Sequence, residues 1–154
     1  NFQSAARINL HPAVTAITNR GEIAFQIVEG TINAERFIEF LERLITSAAS
    51  KVFLIVDNLR VHHAKLVRAW VEPRAAQIEL FYLPPYAPES NPDEYLNCDL
   101  KTELAKRPER RLKGKFKEAV RSTIKKLQSL PKRVARYFSA KPLSYIQSPI
   151  KCAG

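Results

Sequence analysis

The chain has 154 residues, 45% of them apolar, with a formal net charge of +10. That length suits about one domain, able to bury roughly two thirds of the surface its unfolded form exposes. The longest apolar run, Val52 to Val56, falls far short of the roughly 20 residues a bilayer span needs. Cys98 and Cys152 form no CxxC and neither adjoins a histidine, so no disulfide framework or zinc site is signalled, and a soluble protein of a reducing cytoplasm is expected.

In chain order, residues 1–12 read as a linker or remnant outside the fold. "AVTAITNRGEIAFQIV", residues 13 to 28, predicts two strands joined by a turn at Asn19-Arg20-Gly21. A helix follows from about Asn33, a good capping residue, with Phe37, Phe40, Leu41, Leu44 and Ile45 at helical spacing. "KVFLIVDN" is a β-branched apolar run of the kind buried on both faces of a sheet, and it ends at Asp57. A helix over 62–76 and a second buried strand, "IELFYL" at 78–83, complete a helix, strand, helix, strand alternation that implies parallel neighbours.

Next comes "LPPYAPESNPDEYLNCDLK", residues 83 to 101, where Pro84, Pro85 and Pro88 hold an extended connection and Pro92 suits the first turn of a helix running to about Leu104. Residues 106–114 break the pattern. A basic amphipathic helix is predicted from Lys115 to Leu130, with Phe116, Val120, Ile124 and Leu127 on one side, then a short helix from Pro131 to Phe138. Trp70, Tyr82 and Phe138 are read as core in preference to stacking platforms.

Charge is distributed unevenly. Residues 1 to 100 hold 9 Lys+Arg against 12 Asp+Glu, and 101 to 154 hold 16 against 3. A basic half of this kind is the footprint of a polyanion partner, most often nucleic acid, or else a solvated helix face.

Two carboxylates carry the chemical signal. Asp57 ends the most buried strand, where open α/β sheets place ligand groups, although such a residue can equally cap the next helix. Glu94 can close a capping box with Asn91 as N-cap and Pro92 at N1. Two parallel neighbouring strands would bring both residues to one sheet edge, where a carboxylate pair can hold a hard cation such as Mg²⁺. Two metals about 3.5–4 Å apart would serve phosphodiester cleavage, and for them a third acidic ligand is expected.

"FLIVDN" with "VHH", then "ELFYLPPYAPESNPDEYLNCDLK", preceded by "NRGEI" and "EGTINAERFIEFLERLI", resembles the catalytic core of DDE transposases of the mariner-like bacterial insertion-sequence superfamily. The resemblance covers roughly residues 13 to 138. It implies a ribonuclease H-like fold, a mixed sheet flanked by helices with a basic helical C-terminal extension. It further implies Mg²⁺-dependent (or Mn²⁺-dependent) cleavage and joining of double-stranded DNA at transposon ends and target, by a homo-oligomer in the bacterial cytoplasm at the nucleoid. The family's second acid matches Asp57 and its third matches Glu94, with 36 residues between them.

The family's first acid lies on the first strand of the fold, and no Asp precedes Asp57 here, while Glu22 and Glu29 fall on the wrong strand or its end. The expectation is therefore an incomplete core over 13–105, lacking that strand and belonging to a longer transposase, followed by a basic helical region over 106–154. Two unpaired sheet edges would follow, and with them association with other chains. Lys106, Arg107, Arg110, Arg111, Lys113, Lys115 and Lys117 are the expected DNA contacts. The competing reading is a catalytically inactive DNA-binding or assembly fragment.

Overall fold

The structure is a computed structural model and describes residues 3–10, 13–56, 64–82, 92–112 and 114–139, with residues 3–10 and 93 described by their backbone. Five strands, β1 (Gln3–Leu10), β2 (Ala13–Thr18), β3 (Ile23–Ile27), β4 (Val52–Val56) and β5 (Ile78–Tyr82), form one sheet in the order β3-β2-β1-β4-β5. β1 pairs antiparallel with β2 and parallel with β4; β3 extends the antiparallel side and β5 the parallel side. This mixed sheet with helices on both faces is the ribonuclease H-like architecture.

The first strand departs from the sequence-based expectation. Residues 1–12 are expected outside the fold, and the sheet is expected to lack its central strand; instead Gln3–Leu10 fills that slot, hydrogen-bonded on both sides. Association through edges flanking an empty centre therefore loses its basis: the outer strands of the sheet are β3 and β5. The physical reason is that QSAARINL is rich in residues of low strand preference, and pairing with two neighbours decides the conformation.

β2 shows why the sheet has two cores. Its six residues are all buried, alternating between faces: Ala13 and Ile17 join Ile23 in one apolar cluster, while Val14 and Ala16 join Leu54, Val56 and Ile78 in the other. Helices α1 (Ala34–Ser47) and α2 (Lys65–Val71) contribute to the second cluster, with Phe37, Phe40, Leu41 and Val67 fully buried. Asn33 caps α1, its Oδ1 accepting from Arg36 N at 2.9 Å. The α2 helix is shorter than predicted, because Pro73 cannot donate the next helical bond and the ladder tightens to a 3₁₀ turn over Glu72–Arg74.

Helices α3 (Asp93–Ala105), α4 (Phe116–Gln128) and α5 (Pro131–Ala135) cover the other face. Ala119, Val120, Thr123, Ile124 and Leu127 are buried along α4, as its periodicity requires, but Phe116 is 42% exposed, since it opens the helix just beyond a turn. Of the three aromatics expected in the core, Trp70 and Phe138 pack against its margins and Tyr82 is at the rim, 37% exposed.

The β2–β3 turn is locked to the α4–α5 joint. Gln128 Nε2 donates to Ile23 O at 2.7 Å, and Gly21, with φ of +88°, lies so close that a Cβ there would meet Pro131 O at 1.9 Å. Gly114 has a similar φ of +79° with open space around it. Gly114→Ala should therefore cost about 1–2 kcal/mol, the left-handed backbone term alone, and Gly21→Ala clearly more. Urea unfolding of both variants measures the difference; equal losses would mean that the turn does not press on α5.

Candidate active site

The parallel strands set the site. Val56, the last residue of β4, is in register with Ala6 of β1 on one side and Tyr82 of β5 on the other, so β4 and β5 finish at one edge of the sheet. Asp57 continues the chain from Val56 and lies outside the described residues, as do His62 and His63. Glu94 is described: it is the second residue of α3 and partly buried. Helix α3 starts eleven residues after Tyr82 and packs on β1 and β2. Its first turn differs from the expected capping box, because the N-cap position is Pro92, whose carbonyl accepts from Tyr95 N at 3.1 Å and Leu96 N at 3.4 Å. Glu94 is thus one place nearer the helix start, where the helix dipole favours negative charge.

Carboxylate oxygens are the ligands that a hard divalent cation takes, so the chemistry of Asp57 and Glu94 fits such an ion. β1 contributes none, for no residue in QSAARINL is acidic. Among the described residues no group of three or more His, Cys, Asp or Glu side chains could hold a metal.

The far side of α3 carries a polar network. Asp99 Oδ2 accepts from Arg133 Nε at 2.8 Å and from the Tyr137 hydroxyl, while its Oδ1 accepts from Arg133 Nη2, a two-pronged guanidinium contact. One turn on, Glu103, whose side chain is only 5% exposed, accepts from Lys126 Nζ at 2.7 Å, Lys106 Nζ at 3.0 Å and Arg133 Nη2 at 3.3 Å. The Lys126 and Lys106 bonds hold the Glu103 carboxyl down to about 2, against the opposing effect of burial. Burial, then the bond to Asp99, pushes the Tyr137 phenol up.

The expected DNA contacts divide by partner. Lys106 pairs with Glu103, Arg107 with Glu109 at 3.6 Å, Lys115 with Glu118 at 3.1 Å and Lys117 with Glu29. The Glu29 carboxyl is lowered chiefly by its hydrogen bond from Lys117. Arg110 and Arg111, on the 3₁₀ turn Pro108–Arg111, make no ion pair among the described residues, and Lys113 is outside them. Five further cations outside the expected set, Lys101, Arg121, Lys125, Lys132 and Arg136, are exposed and likewise make no ion pair among the described residues. Arg121 and Lys125 share the outward ridge of α4, opposite its apolar stripe, a placement legible from spacing alone.

Against this geometry, the profile of one family, described as DDE superfamily endonuclease, matches residues 3–115. The chain belongs to the DDE superfamily endonucleases. The match begins at β1, in agreement with that strand's place at the centre of the fold. A search of curated proteins finds no match. Among solved structures, the chain is similar to one in a cryoEM structure of the simian T-cell lymphotropic virus intasome in complex with PP2A regulatory subunit B56 gamma. The TM-score is 0.66 at 16% sequence identity, covering 80% of this chain and 47% of that one, which supports a shared fold. This DDE-superfamily chain thus spans about half the length of that intasome chain.

Asp99 and Glu103 form a polar network that sequence reasoning misses. Their i, i+4 spacing on a mostly buried helix is visible, as is Lys106 three residues beyond Glu103, but Lys126, Arg133 and Tyr137 lie 23 to 38 residues away. The depressed Glu103 pKa carries a pH signature. A folded-state value near 2 against an ordinary 4.5 gives stability that is fully present above about pH 5 and lost as pH falls toward 2. Glu103→Gln should flatten the fall in melting temperature between pH 5 and 2. An unchanged acid limb would mean that Glu103 does not hold this network in solution.

Proposed function

We propose that this chain is part of the catalytic domain of a DDE transposase of the mariner-like insertion-sequence type, which cleaves and joins DNA strands at transposon ends. What carries the reading is the DDE superfamily endonuclease match over a sheet in which Asp57 follows β4 in sequence and β5 precedes helix α3, whose second residue is Glu94. In this reading Asp57 and Glu94 hold Mg²⁺, or Mn²⁺ in its place. A bound ion of that kind stabilises charge on a phosphodiester oxygen and favours a deprotonated attacking oxygen. The chain's own part is to fix two carboxylates at the mouth of the sheet and to hold the DNA backbone along its basic side. Double-stranded DNA is the substrate, a homo-oligomer that brings two ends together is the working form, and the bacterial nucleoid is its place. No helix among the described residues is long and apolar enough to cross a membrane.

One observation favours a second reading for this chain by itself. The central strand β1 carries no acid, so the ligand set has two members from the strand-end and helix positions and none from the centre. A two-carboxylate site suits DNA binding and assembly without turnover. Adding Mg²⁺ or Mn²⁺ to this chain with a DNA substrate, with and without an upstream acid-bearing segment, separates the readings. Nicking only on addition supports a site completed from elsewhere, and no nicking in either case supports the binding fragment.

In the full protein, Asp57→Asn and Glu94→Gln should each abolish strand cleavage while DNA binding persists; wild-type cleavage by either variant removes that residue from the site. For the basic side, Lys106, Arg107, Arg110, Arg111, Lys113, Lys115 and Lys117 are proposed to contact backbone phosphates. Exposed ion pairs contribute only about 0–1 kcal/mol, so pairing does not disqualify Lys115 or Lys117. Neutralising Arg110 and Arg111 together should nevertheless weaken binding more than neutralising Lys115 and Lys117. The salt slope should drop by about one unit for each phosphate no longer neutralised, equally for all DNA sequences. A change in sequence preference would instead indicate contacts to base edges.

A further inference from the structure

Helix α3 presents Glu94 at its start and is gripped from behind by residues far along the chain. We propose that Arg133 and Tyr137 are positioning residues for Glu94, acting through Asp99 and Glu103 to fix the rotation of α3 about its axis. The inference rests on the reading of Glu94 as a metal ligand.

The apolar side of α3, with Tyr95, Leu96, Leu100 and Leu104 buried, holds the helix to the sheet but is indifferent to small rotations, because burial of apolar surface is non-directional. Hydrogen bonds carry the angular demand. Five residues separate Glu94 from Asp99, which places the anchor about 7.5 Å along the axis and roughly 140° around it. A carboxylate reaching about 6 Å from the axis moves by about 2 Å when the helix turns by about 20°. Metal–oxygen distances tolerate only about 0.2 Å, so a ligand on this helix requires its rotation to be set.

Tyr137 grips α3 twice. Its hydroxyl bonds Asp99, and its ring stacks on that of Tyr95, the residue after Glu94, with centroids 6.4 Å apart and planes 13° from parallel. Arg133 spans both acids, with Nε and Nη2 on Asp99 and Nη2 also reaching Glu103. Such a network is a poor means of gaining stability, since two carboxylates and a guanidinium must leave water, and apolar replacements are often as stable. What it supplies that apolar packing does not is a single orientation.

The test is Mn²⁺ binding to this chain, followed by electron paramagnetic resonance, so that no turnover is needed. Tyr137→Phe removes one hydrogen bond and keeps the ring; Arg133→Lys keeps the charge and loses the fork. Both should raise the Mn²⁺ concentration at half-saturation by about tenfold, the low end of what supporting residues at metal sites contribute. Val134→Ala, which thins the core beside them without touching the network, should leave it unchanged even at a matched loss of thermal stability. Wild-type Mn²⁺ binding by Tyr137→Phe and Arg133→Lys overturns the proposal, and so does an equal shift in Val134→Ala, which would make the effect one of stability. Should Arg133→Lys fail to fold by circular dichroism, Tyr137→Phe decides alone. A Glu94→Gln variant that binds Mn²⁺ like wild type overturns the ligand reading itself, and the two failures are thereby told apart.

Discussion

The arrangement of this domain depends on one strand being hydrogen-bonded on both sides in opposite senses. β1 runs antiparallel to β2 and parallel to β4, so it is the line at which a hairpin sheet becomes a crossover sheet. The antiparallel half can be built from a tight turn, whereas the parallel half needs helices to carry the chain back. That is why α1 and α2 lie between β3, β4 and β5 in sequence, and why the ends of β4 and β5 share an edge. The residue proposed as one ligand, Asp57, follows β4 directly in sequence, and the other, Glu94, is the second residue of the helix that follows β5.

Charge completes the picture from the opposite direction. The basic half of the chain is not a loose tail: α4 turns an apolar stripe inward and Arg121 and Lys125 outward, while Lys126 and Arg133 reach back to acids on α3. The same helices therefore present exposed cations on one side and pair with the acids of α3 on the other. Neutralising cations on the network side and on the outward side are two different perturbations, because the former leave carboxylates buried without partners.

Much of this was legible in the residues themselves. Asn33 with Phe37, Phe40 and Leu41 defines α1, the VFLIV and IELFY runs define β4 and β5, and Gly21 marks the hairpin turn, although β5, expected to be buried, is an outer strand with Phe81 and Tyr82 exposed. These signals are local, and local periodicity suffices for them. β1 was not legible, because Ser4, Ala5, Ala6 and Asn9 have little intrinsic strand preference and acquire it only from neighbours 10 to 50 residues away. The Asp99 and Glu103 network was hidden for the same reason. Pairing of Lys117 with Glu29 and of Lys106 with Glu103 could not be read from a charge count, which treats every cation alike. At the candidate site the sequence names Asp57 and Glu94 by motif, and the structure describes the elements that end and begin beside them.

The contact between the β2–β3 turn and the α4–α5 joint has a consequence for how the chain reaches this state. Gln128 and Ile23 are 105 residues apart, and Gly21 touches Pro131 over a slightly longer span. Closing a loop of that size costs about (3/2)RT ln n in entropy, with no intermediate contact of the same pair to offset it. The hairpin can form early on its own turn, yet its outer face remains open until α4 has been synthesised and docked. During synthesis, at ~5–20 residues per second, that leaves an interval of several seconds in which Ile23 and its neighbours are uncovered. Among the described elements, the hairpin near the start of the chain is thus covered by helices, α4 and α5, that emerge more than 90 residues after its turn.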